Sequence, residues 1–388
     1  MNFSTQAIRQ GIQASSNREH STALYLNSSF TFNSPEHAQQ LFNGEDQGMI
    51  YSRFTNPNTD EFIQKLTALE KAENGLATAS GMAAVTVTLF GLLQAGDHVV
   101  YARELFGNSS YLFSDLLPRF GVESTEVIGT DIASWEQAIR PNTKLLFAES
   151  PANPTLNILD IRSLSNLAHA NNSLLVIDNC FATPYNQNPL VLGADLVLHS
   201  ATKYIDGQGR VLGGAILGRE ELIQPCYEYH RRSGASLSPF NAWVLSKSLE
   251  TLEVRMERHA QNAQRLFDFL KTHPKVSSCS YPFDPAAEHY ELAKSQMRTG
   301  GGLVLANFNA TEQQCFDLMR SLKLFSLTAN LGDTRSIVTH PASTTHSRLE
   351  ESAAQEKGIF PGTIRFSLGL EDADDIVNDV ERAIEQAL

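Results

Sequence analysis

The stretch "LHSATKYIDGQGR" (residues 198–210) decides the fold, because an apolar run ends there in a turn that carries an ionisable amine. The run from Leu196 to Leu198 is typical of a buried strand, and it gives way to the small hydroxyl residue Ser200. Lys203 follows between Thr202 and Tyr204. Hydroxyl groups bind an anion without neutralising it, so this turn indicates a ligand site at the end of a strand.

Outward from this turn, short apolar runs alternate with helical patterns. The runs are rich in Val, Ile and Leu and show little alternation: "DHVVYA" (97–102), "TKLLFAES" (143–150), "SLLVIDN" (173–179), "ADLVLHS" (194–200) and "LGGAILG" (212–218). Continuous apolar runs of this kind are typical of strands that are buried on both faces. Helical stretches lie between them at 108–119, 132–140 and 160–171. The pattern predicts an α/β fold with a mostly parallel central sheet flanked by helices.

Ligands in such sheets gather at the carboxyl ends of the strands. Glu149, Asp178 and Ser200 each end one of the runs. We therefore expect these polar groups to converge on one site beside the lysine turn.

The pattern of apolar residues changes after about residue 240, from alternating strands and helices to long helices. Residues 239–273 contain no glycine and predict one or two long helices, and 311–321 predicts another. The last helix carries an apolar stripe and starts at the acidic "EDADD" (371–375), which suits a helix N-terminus better than a metal site. We predict an arm over 1–50, an α/β domain over 51–240 and a smaller α+β domain over 241–388.

Composition excludes several classes of protein. The 388 residues carry a formal net charge of −13, which argues against a nucleic-acid surface. The four cysteines form no C-x-x-C pair and no secretory signal is visible, so a cytoplasmic setting is expected. Residues 74–96 lack charge and are long enough for a membrane span, but their Gly, Ser and Thr content favours a loop, a cap at Ser80 and a buried helix.

Lys203 has the surroundings that pyridoxal phosphate requires of a protein. That cofactor needs a lysine for a Schiff base, an anion cradle, an acidic partner for its ring nitrogen and a group that packs on the ring. The candidates are Lys203, the helix start "ASGMAA" (79–84), Asp178 and Phe106. Each has an ordinary structural explanation when taken alone, and their combination favours the cofactor.

Competing motifs are incomplete. Ser200 and Lys203 spell S-x-x-K, which would suit an acyl hydrolase, but the later S-D-N and K-T-G triplets are missing. The G-x-G at 207–209 is not followed by the third glycine of a dinucleotide site, and no G-K-[ST] exists. His340 and His346 flank "PASTT", where loop hydrogen bonding is the better interpretation than metal ligation. We expect no metal.

Seven ordered blocks that span most of the chain resemble the pyridoxal-phosphate enzymes of cysteine and methionine metabolism, of the cystathionine γ-synthase type. The blocks are "YSRFTNPNTDEFIQKLTALE" (51–70), "ATASGMAAV" (77–85), "AESPANPTL" (148–156), "VIDNCFATPYNQNPLVLGADLVLHSATKY" (176–204), "SPFNAWVLSKSLETLEVRMERH" (238–259), "NLGDTRSIVTHPASTTHS" (330–347) and "IRFSLGLED" (364–372). The resemblance implies the type I aminotransferase-like fold.

The resemblance also implies a role for each matching position. It attaches the cofactor to Lys203, pairs its ring nitrogen with Asp178 and stacks Phe106 on the ring. Its phosphate would be bound by Ser80, Gly81, Met82, Ser200 and Thr202. Tyr51 and Arg53 would reach the phosphate in a neighbouring subunit, which implies a dimer and, as is usual for such enzymes, a homotetramer. Asn153 would contact the ring oxygen or the substrate carboxylate, and Arg365 would clamp the α-carboxylate with Ser326 nearby.

Phe106 departs from the tyrosine that many members have, so proton transfer falls to Lys203 or Tyr51. The segments "DGQGRVLGG", "NLGD" and "HPASTTH" look like those of sulfhydrylases that act on activated homoserine. The expected reaction joins sulfide to a homoserine ester, the succinyl ester foremost, and gives homocysteine for methionine biosynthesis. The alternatives are the acetyl ester, cysteine as the thiol, and γ-cleavage of methionine or cystathionine.

Overall fold

The computed structural model describes residues 1–12, 15–347, 354–355 and 358–388. Among these residues, seven strands form a large sheet: β1 Asn74–Thr78, β2 His98–Ala102, β3 Glu123–Val127, β4 Thr143–Glu149, β5 Leu174–Asp178, β6 Leu196–Ser200 and β7 Gly214–Gly218. Their order is β1-β7-β6-β5-β4-β2-β3. Strand β7 is antiparallel to both β1 and β6, whereas the pairs from β6 to β3 are parallel. The predicted α/β fold with a mostly parallel sheet is confirmed.

A second sheet of five strands, also counted within the described residues, lies in the C-terminal part. Its members are β8 Val276–Ser280, β9 Leu303–Phe308, β10 Ser326–Leu327, β11 Ile337–Thr339 and β12 Thr363–Ser367, in the order β10-β11-β12-β9-β8. Strands β10 and β11 are parallel and the remaining pairs are antiparallel. This mixed sheet agrees with the smaller α+β unit that the sequence predicts.

Helices cover the sheets and connect their strands. Those with both ends described are α1 Phe3–Arg9, α2 Pro35–Asn43, α3 Pro57–Glu70, α4 Gly81–Leu92, α5 Gly107–Tyr111, α6 Ile132–Ala138, α7 Ile161–Ala170, α8 Thr183–Asn186, α9 Glu220–Ser233, α10 Pro239–Leu249, α11 Leu252–Lys271, α12 Tyr290–Gln296, α13 Glu312–Ser321 and α14 Ala373–Ala387. Shorter helical turns are Leu112–Leu116, Leu117–Phe120, Pro189–Leu192 and Pro341–Ser343.

Two strands of the large sheet were not predicted from the sequence. The loop expected before Ser80 is wrong over Asn74–Thr78, which forms β1 by pairing with β7. Strand β3 has the sequence "ESTEV" and four of its five residues are polar. Both segments lack the continuous apolar run that marks a buried strand, because β1 and β3 lie at the two edges of the sheet. Because both strands lie at an edge of the sheet, hydrophobic periodicity did not predict them.

Helix α4 begins at the predicted cap. The Ser80 side chain accepts a hydrogen bond from the amide of Ala83 at 3.1 Å, and Val85, Val87 and Leu89 are buried. The interpretation of this segment as a buried helix is confirmed. No helix in the described part of the chain is both long and apolar enough to cross a membrane.

Separate apolar cores lie under the two sheets. The larger core packs around β2, β4 and β5, and the C-terminal core packs α11, α13 and α14 against β9 and β12. In the N-terminal arm, the buried apolar residues among those described are Ala7 and Leu41. This part of the arm has too little buried surface for a core of its own.

Candidate active site

A cavity of about 300 Å³ lies where β4, β5 and β6 end and where the C-terminal unit covers them. Ten of the residues predicted for the site line it: Ser80, Gly81, Met82, Phe106, Asn153, Asp178, Ser200, Thr202, Lys203 and Arg365. Strand ends from one sheet and a basic residue from the other therefore face the same space, as the sequence predicts.

Three predicted residues do not line this cavity. Tyr51 is 39 % exposed, and Arg53 borders a different cavity of about 380 Å³ between α3, β1 and α9. Ser326 lies in β10, where its amide donates to the carbonyl of Ser336 at 2.8 Å. The contribution of Tyr51 and Arg53 to a neighbouring subunit stays a prediction, and Ser326 is placed away from the cavity wall.

The start of α4 lines one part of the cavity and is suited to bind an anion. Ser80 caps the helix through Ala83, and the first intrahelical bond runs from Ala84 to the Ser80 carbonyl at 3.0 Å. The amides of Gly81 and Met82 precede that bond, where helix amides favour an anion. A Cβ atom at Gly81 would come within 2.6 Å of the Ser200 Cβ, so only glycine allows this approach to β6.

Lys203 stands in a tight turn after β6. Its amide donates to the Ser200 carbonyl at 3.2 Å, and its carbonyl accepts from the amide of Gly207 at 2.8 Å. Its Nζ donates to the Oδ1 of Asn330 at 2.7 Å. Burial lowers the pKa of Lys203, and the positive charge of Arg365 lowers it further. A lysine whose charge is disfavoured in this way is suited to act as a base and a nucleophile.

A pair of carboxyl groups, Glu149 buried and Asp178 half-buried, lines the same cavity as the lysine. Glu149 and Asp178 are register partners at the ends of β4 and β5. Burial raises the pKa of Asp178 to about 6, and the bond from the amide of Cys180 opposes that rise. Burial, together with the negative charge of Asp178, raises the pKa of Glu149 well above its ordinary value. A cation near the two carboxylates would be stabilised, because its charge would offset the cost of burying them and their mutual repulsion.

Glu149 also positions the predicted stacking residue. Its Oε2 accepts a hydrogen bond from the amide of Phe106 at 2.8 Å. Phe106 precedes α5 and lines the cavity. The carboxyl group at the end of β4 therefore fixes the backbone that presents the phenyl ring.

Arg365 forms the basic end of the cavity on β12. It is 1 % exposed, and its Nη1 donates to the Oδ1 of Asn153 at 2.8 Å. Its Nη2 donates to the carbonyl of Asn330 at 3.1 Å, while its Nε has no partner among the described residues. A buried guanidinium with an unsatisfied donor suits a carboxylate ligand.

Asn330 is the main residue of the site that the sequence reasoning missed. Its side chain bonds Lys203 and its backbone bonds Arg365, yet in the sequence it stands out only as part of the "NLGD" pattern. Gly332 lies close behind it, where a Cβ atom would come within 2.7 Å of the Tyr204 amide nitrogen. The glycine in "NLGD" is thus the signal that this loop approaches the lysine turn.

The described residues contain no group of His, Cys, Asp and Glu side chains that would hold a metal ion. His340 bonds Ser343 through Nδ1 at 2.9 Å and the Pro361 carbonyl through Nε2 at 2.9 Å. Asp372 caps α14 by accepting from the amide of Asp374 at 3.0 Å. Loop bonding at His340 and an acidic helix start at residue 372 are therefore confirmed.

The model of the "Cys/Met metabolism PLP-dependent enzyme" family matches residues 4–385. The chain belongs to this family. Its members depend on pyridoxal phosphate, and the residues of the cavity fit that group. Gly81 lets the start of α4 approach Ser200 of β6, so the helix amides and the Ser200 hydroxyl are close enough to hold a phosphate together, and the carboxyl pair of Glu149 and Asp178 suits a ring cation.

Relatives within the family have different activities. The chain is 42 % identical over 98 % of its length to an O-succinylhomoserine sulfhydrylase of Pseudomonas aeruginosa, and 95 % of that protein is covered. It is 43 % identical to one of Mycobacterium tuberculosis over the same shares of the two chains. It is also 42 % identical over 94 % of its length to an L-methionine γ-lyase of Fusobacterium nucleatum, 93 % of which is covered.

Solved structures of family members have the same fold. A Campylobacter jejuni protein assigned as an O-acetylhomoserine (thiol)-lyase superposes with a TM-score of 0.95 at 35 % identity, covering 99 % of this chain and all of that one. That structure contains an N'-pyridoxyl-lysine-5'-monophosphate. The metB protein of Corynebacterium glutamicum superposes with a TM-score of 0.92 at 34 % identity over 99 % of this chain and 98 % of that one.

Proposed function

We propose that this protein joins sulfide to O-succinyl-L-homoserine and releases L-homocysteine and succinate. The observation that carries the proposal is the contact of Asn330 with both Lys203 and Arg365. It places a base with a lowered pKa beside a guanidinium that suits the α-carboxylate of an amino acid. The identity to two O-succinylhomoserine sulfhydrylases supports the choice of ester.

The residues of the cavity divide the work in this proposal. Pyridoxal phosphate, when bound, supplies an electron sink that stabilises negative charge at the α-carbon of the substrate. Lys203 would hold the cofactor through its amine and would move the proton at the α-carbon of the substrate. Asp178 would hold the ring nitrogen protonated, and Phe106 would pack on the ring.

Binding and orientation fall to the remaining groups. The amides of Gly81 and Met82, with the hydroxyls of Ser200 and Thr202, bind the phosphate. Arg365 and Asn153 orient the α-carboxylate, so that the α-proton faces Lys203. Tyr51 and Arg53 complete the phosphate site of a neighbouring copy in a homotetramer.

A γ-lyase is the second candidate, and the identity of 42 % to a methionine γ-lyase favours it. Both reactions begin with removal of the α-proton, and the cavity residues named above serve either. They differ in whether a thiol adds at the γ-carbon or water releases the product as a ketoacid and ammonia.

The deciding experiment supplies the holoenzyme with succinyl-, acetyl- or phosphohomoserine, each with sulfide or with cysteine. We expect homocysteine from the succinyl ester and sulfide, at a kcat/KM above that of the other pairs. Methionine and cystathionine are supplied in parallel. α-Ketobutyrate and ammonia as the main products would identify a lyase and contradict the proposal.

A further inference from the structure

Two guanidinium groups contact one aromatic ring beside the cavity of about 380 Å³ that Arg53 and Phe54 line. The Cζ of Arg53 lies 4.7 Å from the centroid of the Phe54 ring, and the Cζ of Arg231 lies 4.1 Å from it. Arg53 also donates through Nη1 to the Arg231 carbonyl, and Ser236 donates to the Arg53 carbonyl at 3.0 Å. The segment before α3 and the end of α9 are therefore joined, and the two arginines form one unit.

No carboxylate in the described part of the chain neutralises this arginine pair. Among the described residues, no carboxylate lies within 4 Å of the guanidinium nitrogens of Arg53 or Arg231, although the chain has a net charge of −13. The adjacent Arg232 differs, because it pairs with Glu228 at 2.6 Å. A position in the last turn of α9 favours one cation through the helix dipole. The helix dipole does not explain why the Arg53 guanidinium contacts the same ring. Two guanidinium groups close together are suited to bind an anion.

The proposed substrate carries one carboxylate more than the described lining of the active-site cavity can bind through a cation. O-Succinylhomoserine carries an α-carboxylate and a distal carboxylate on the succinyl group. Among the described residues, the cationic side chains that line the cavity are Lys203 and Arg365, and the reaction occupies both. Glu149 and Asp178 lie in the same wall and repel a further anion. The distal carboxylate therefore requires a cation from outside this lining.

We infer that Arg231 binds the distal carboxylate of the succinyl ester in the active site of a neighbouring copy of this chain. The inference rests on the proposed function and names the residue that selects its ester. Arg53 does not line the active-site cavity of its own subunit, and the proposed function assigns it to the phosphate site of a neighbouring subunit. Arg231 is joined to Arg53 by a hydrogen bond from the Arg53 guanidinium to the Arg231 carbonyl. The guanidinium that reaches the phosphate thus brings a second one to the same site.

The first test compares two esters on two variants. Arg231→Gln should lower kcat/KM for O-succinylhomoserine by about tenfold to a hundredfold, the loss expected for a charged hydrogen bond. Turnover of O-acetylhomoserine should change less than about threefold, because that ester lacks the distal carboxylate. The control Arg232→Gln removes an adjacent exposed arginine and should change neither. Equal losses on both esters would show a role in helix stability alone and overturn the inference.

A second test does not depend on turnover. L-2-Aminononanedioic acid has the chain length of the succinyl ester and a distal carboxylate but no leaving group, and L-2-aminononanoic acid lacks that carboxylate. Their affinities for the holoenzyme follow from the change in cofactor absorbance. The wild type should prefer the diacid, and Arg231→Gln should lose that preference. A preference that survives the substitution contradicts the inference even if the proposed reaction is correct.

A hybrid oligomer tests the placement across subunits. Subunits with Lys203→Ala and subunits with Arg231→Gln are coexpressed with different tags, and the mixed species is isolated. One site then combines an intact Lys203 with an intact Arg231 from the neighbour, so activity on the succinyl ester should return to about half of the wild type. Activity no higher than that of the Arg231→Gln protein would place Arg231 in its own subunit's site and overturn the inference. Absence of homocysteine from the wild type, by contrast, would overturn the proposed function itself.

Discussion

The side-chain oxygen of Asn330 accepts a hydrogen bond from the Nζ of Lys203 at 2.7 Å, while its backbone carbonyl accepts one from Nη2 of Arg365 at 3.1 Å. One residue thereby connects the amine of the large domain with the guanidinium of the C-terminal sheet. The two contacts use different atoms, so substitution of the side chain separates them.

Asn330→Ala should therefore lower kcat without weakening carboxylate binding. Removal of a hydrogen bond to a charged amine costs about 1.5–3 kcal/mol, or about tenfold to a hundredfold in rate. The carbonyl that bonds Arg365 stays in place, so the inhibition constant of an unreactive amino acid should change little. Steady-state kinetics and inhibition by norleucine measure the two effects. Arg365→Lys is the matched contrast and should raise KM instead; similar KM changes in both variants would contradict the division of roles.

Asn330→Asp should move the pH profile. A carboxylate beside Lys203 favours the charged amine, so it raises the lysine pKa that burial now lowers. More of the amine is then protonated at neutral pH, and the limb of the rate profile that reports the free amine should shift to higher pH by about one unit. The pH dependence of kcat for both proteins checks this. An unchanged profile would mean that another group limits the rate.

Lys203→Ala should abolish turnover while leaving the fold intact. Loss of the base is expected to cost about 10²–10⁴-fold, and borohydride should no longer fix the cofactor to the protein. Turnover assays and mass spectrometry of a borohydride-treated digest measure this. Lys144→Ala, which removes an exposed lysine of β4, is the control and should behave as the wild type. Cofactor label on a different lysine would refute the assignment.

Gly81→Ala should weaken cofactor binding. The new Cβ atom would lie 2.6 Å from the Ser200 Cβ, so either α4 or β6 must shift, at a cost of about 1–3 kcal/mol. Absorbance titration with pyridoxal phosphate and thermal unfolding measure the loss. Ser200→Gly in the same chain removes the Cβ and Oγ atoms that clash but keeps the Cα atom at 2.9 Å, so the double variant should recover part of the stability without recovering the hydroxyl contact. Full cofactor affinity in Gly81→Ala would exclude the proposed cradle.

Asp178→Asn should stabilise the cofactor-free protein at alkaline pH. Burial raises the pKa of Asp178 to about 6 from an ordinary 3.8, so the folded chain binds this proton more tightly than the unfolded chain. The stabilisation is complete below the unfolded pKa and is lost as the pH rises through about 6. At pH 8 the variant should gain up to about 3 kcal/mol, and near pH 4 the gain should vanish.

Urea unfolding of both apo proteins across that range tests the sign. The holoenzyme should show the reverse order, because the ring cation stabilises the ionised carboxylate that asparagine lacks. Turnover of Asp178→Asn should fall by about 10²-fold or more. A variant that is less stable than the wild type at pH 8 in the apo form would contradict the buried charge.

The sequence by itself determined the parts of this protein that rest on local order. Five buried strands, the cap at Ser80 and the lysine turn after β6 follow from runs of apolar residues and from the side chains at their ends. Because β5 and β6 are parallel neighbours in one sheet, Asp178 and Ser200 lie together at the carboxyl ends of these strands.

Tertiary structure alone decided the contacts between residues far apart in the chain. Asn330 lies 127 positions from Lys203 and reaches it because β11, β12 and the close approach at Gly332 fix its loop. Ser326, four residues earlier, is turned into β10 instead. Periodicity reports which face of an element is buried and carries no information on which distant loop covers it, and for that reason the edge strands and Asn330 were found only in three dimensions.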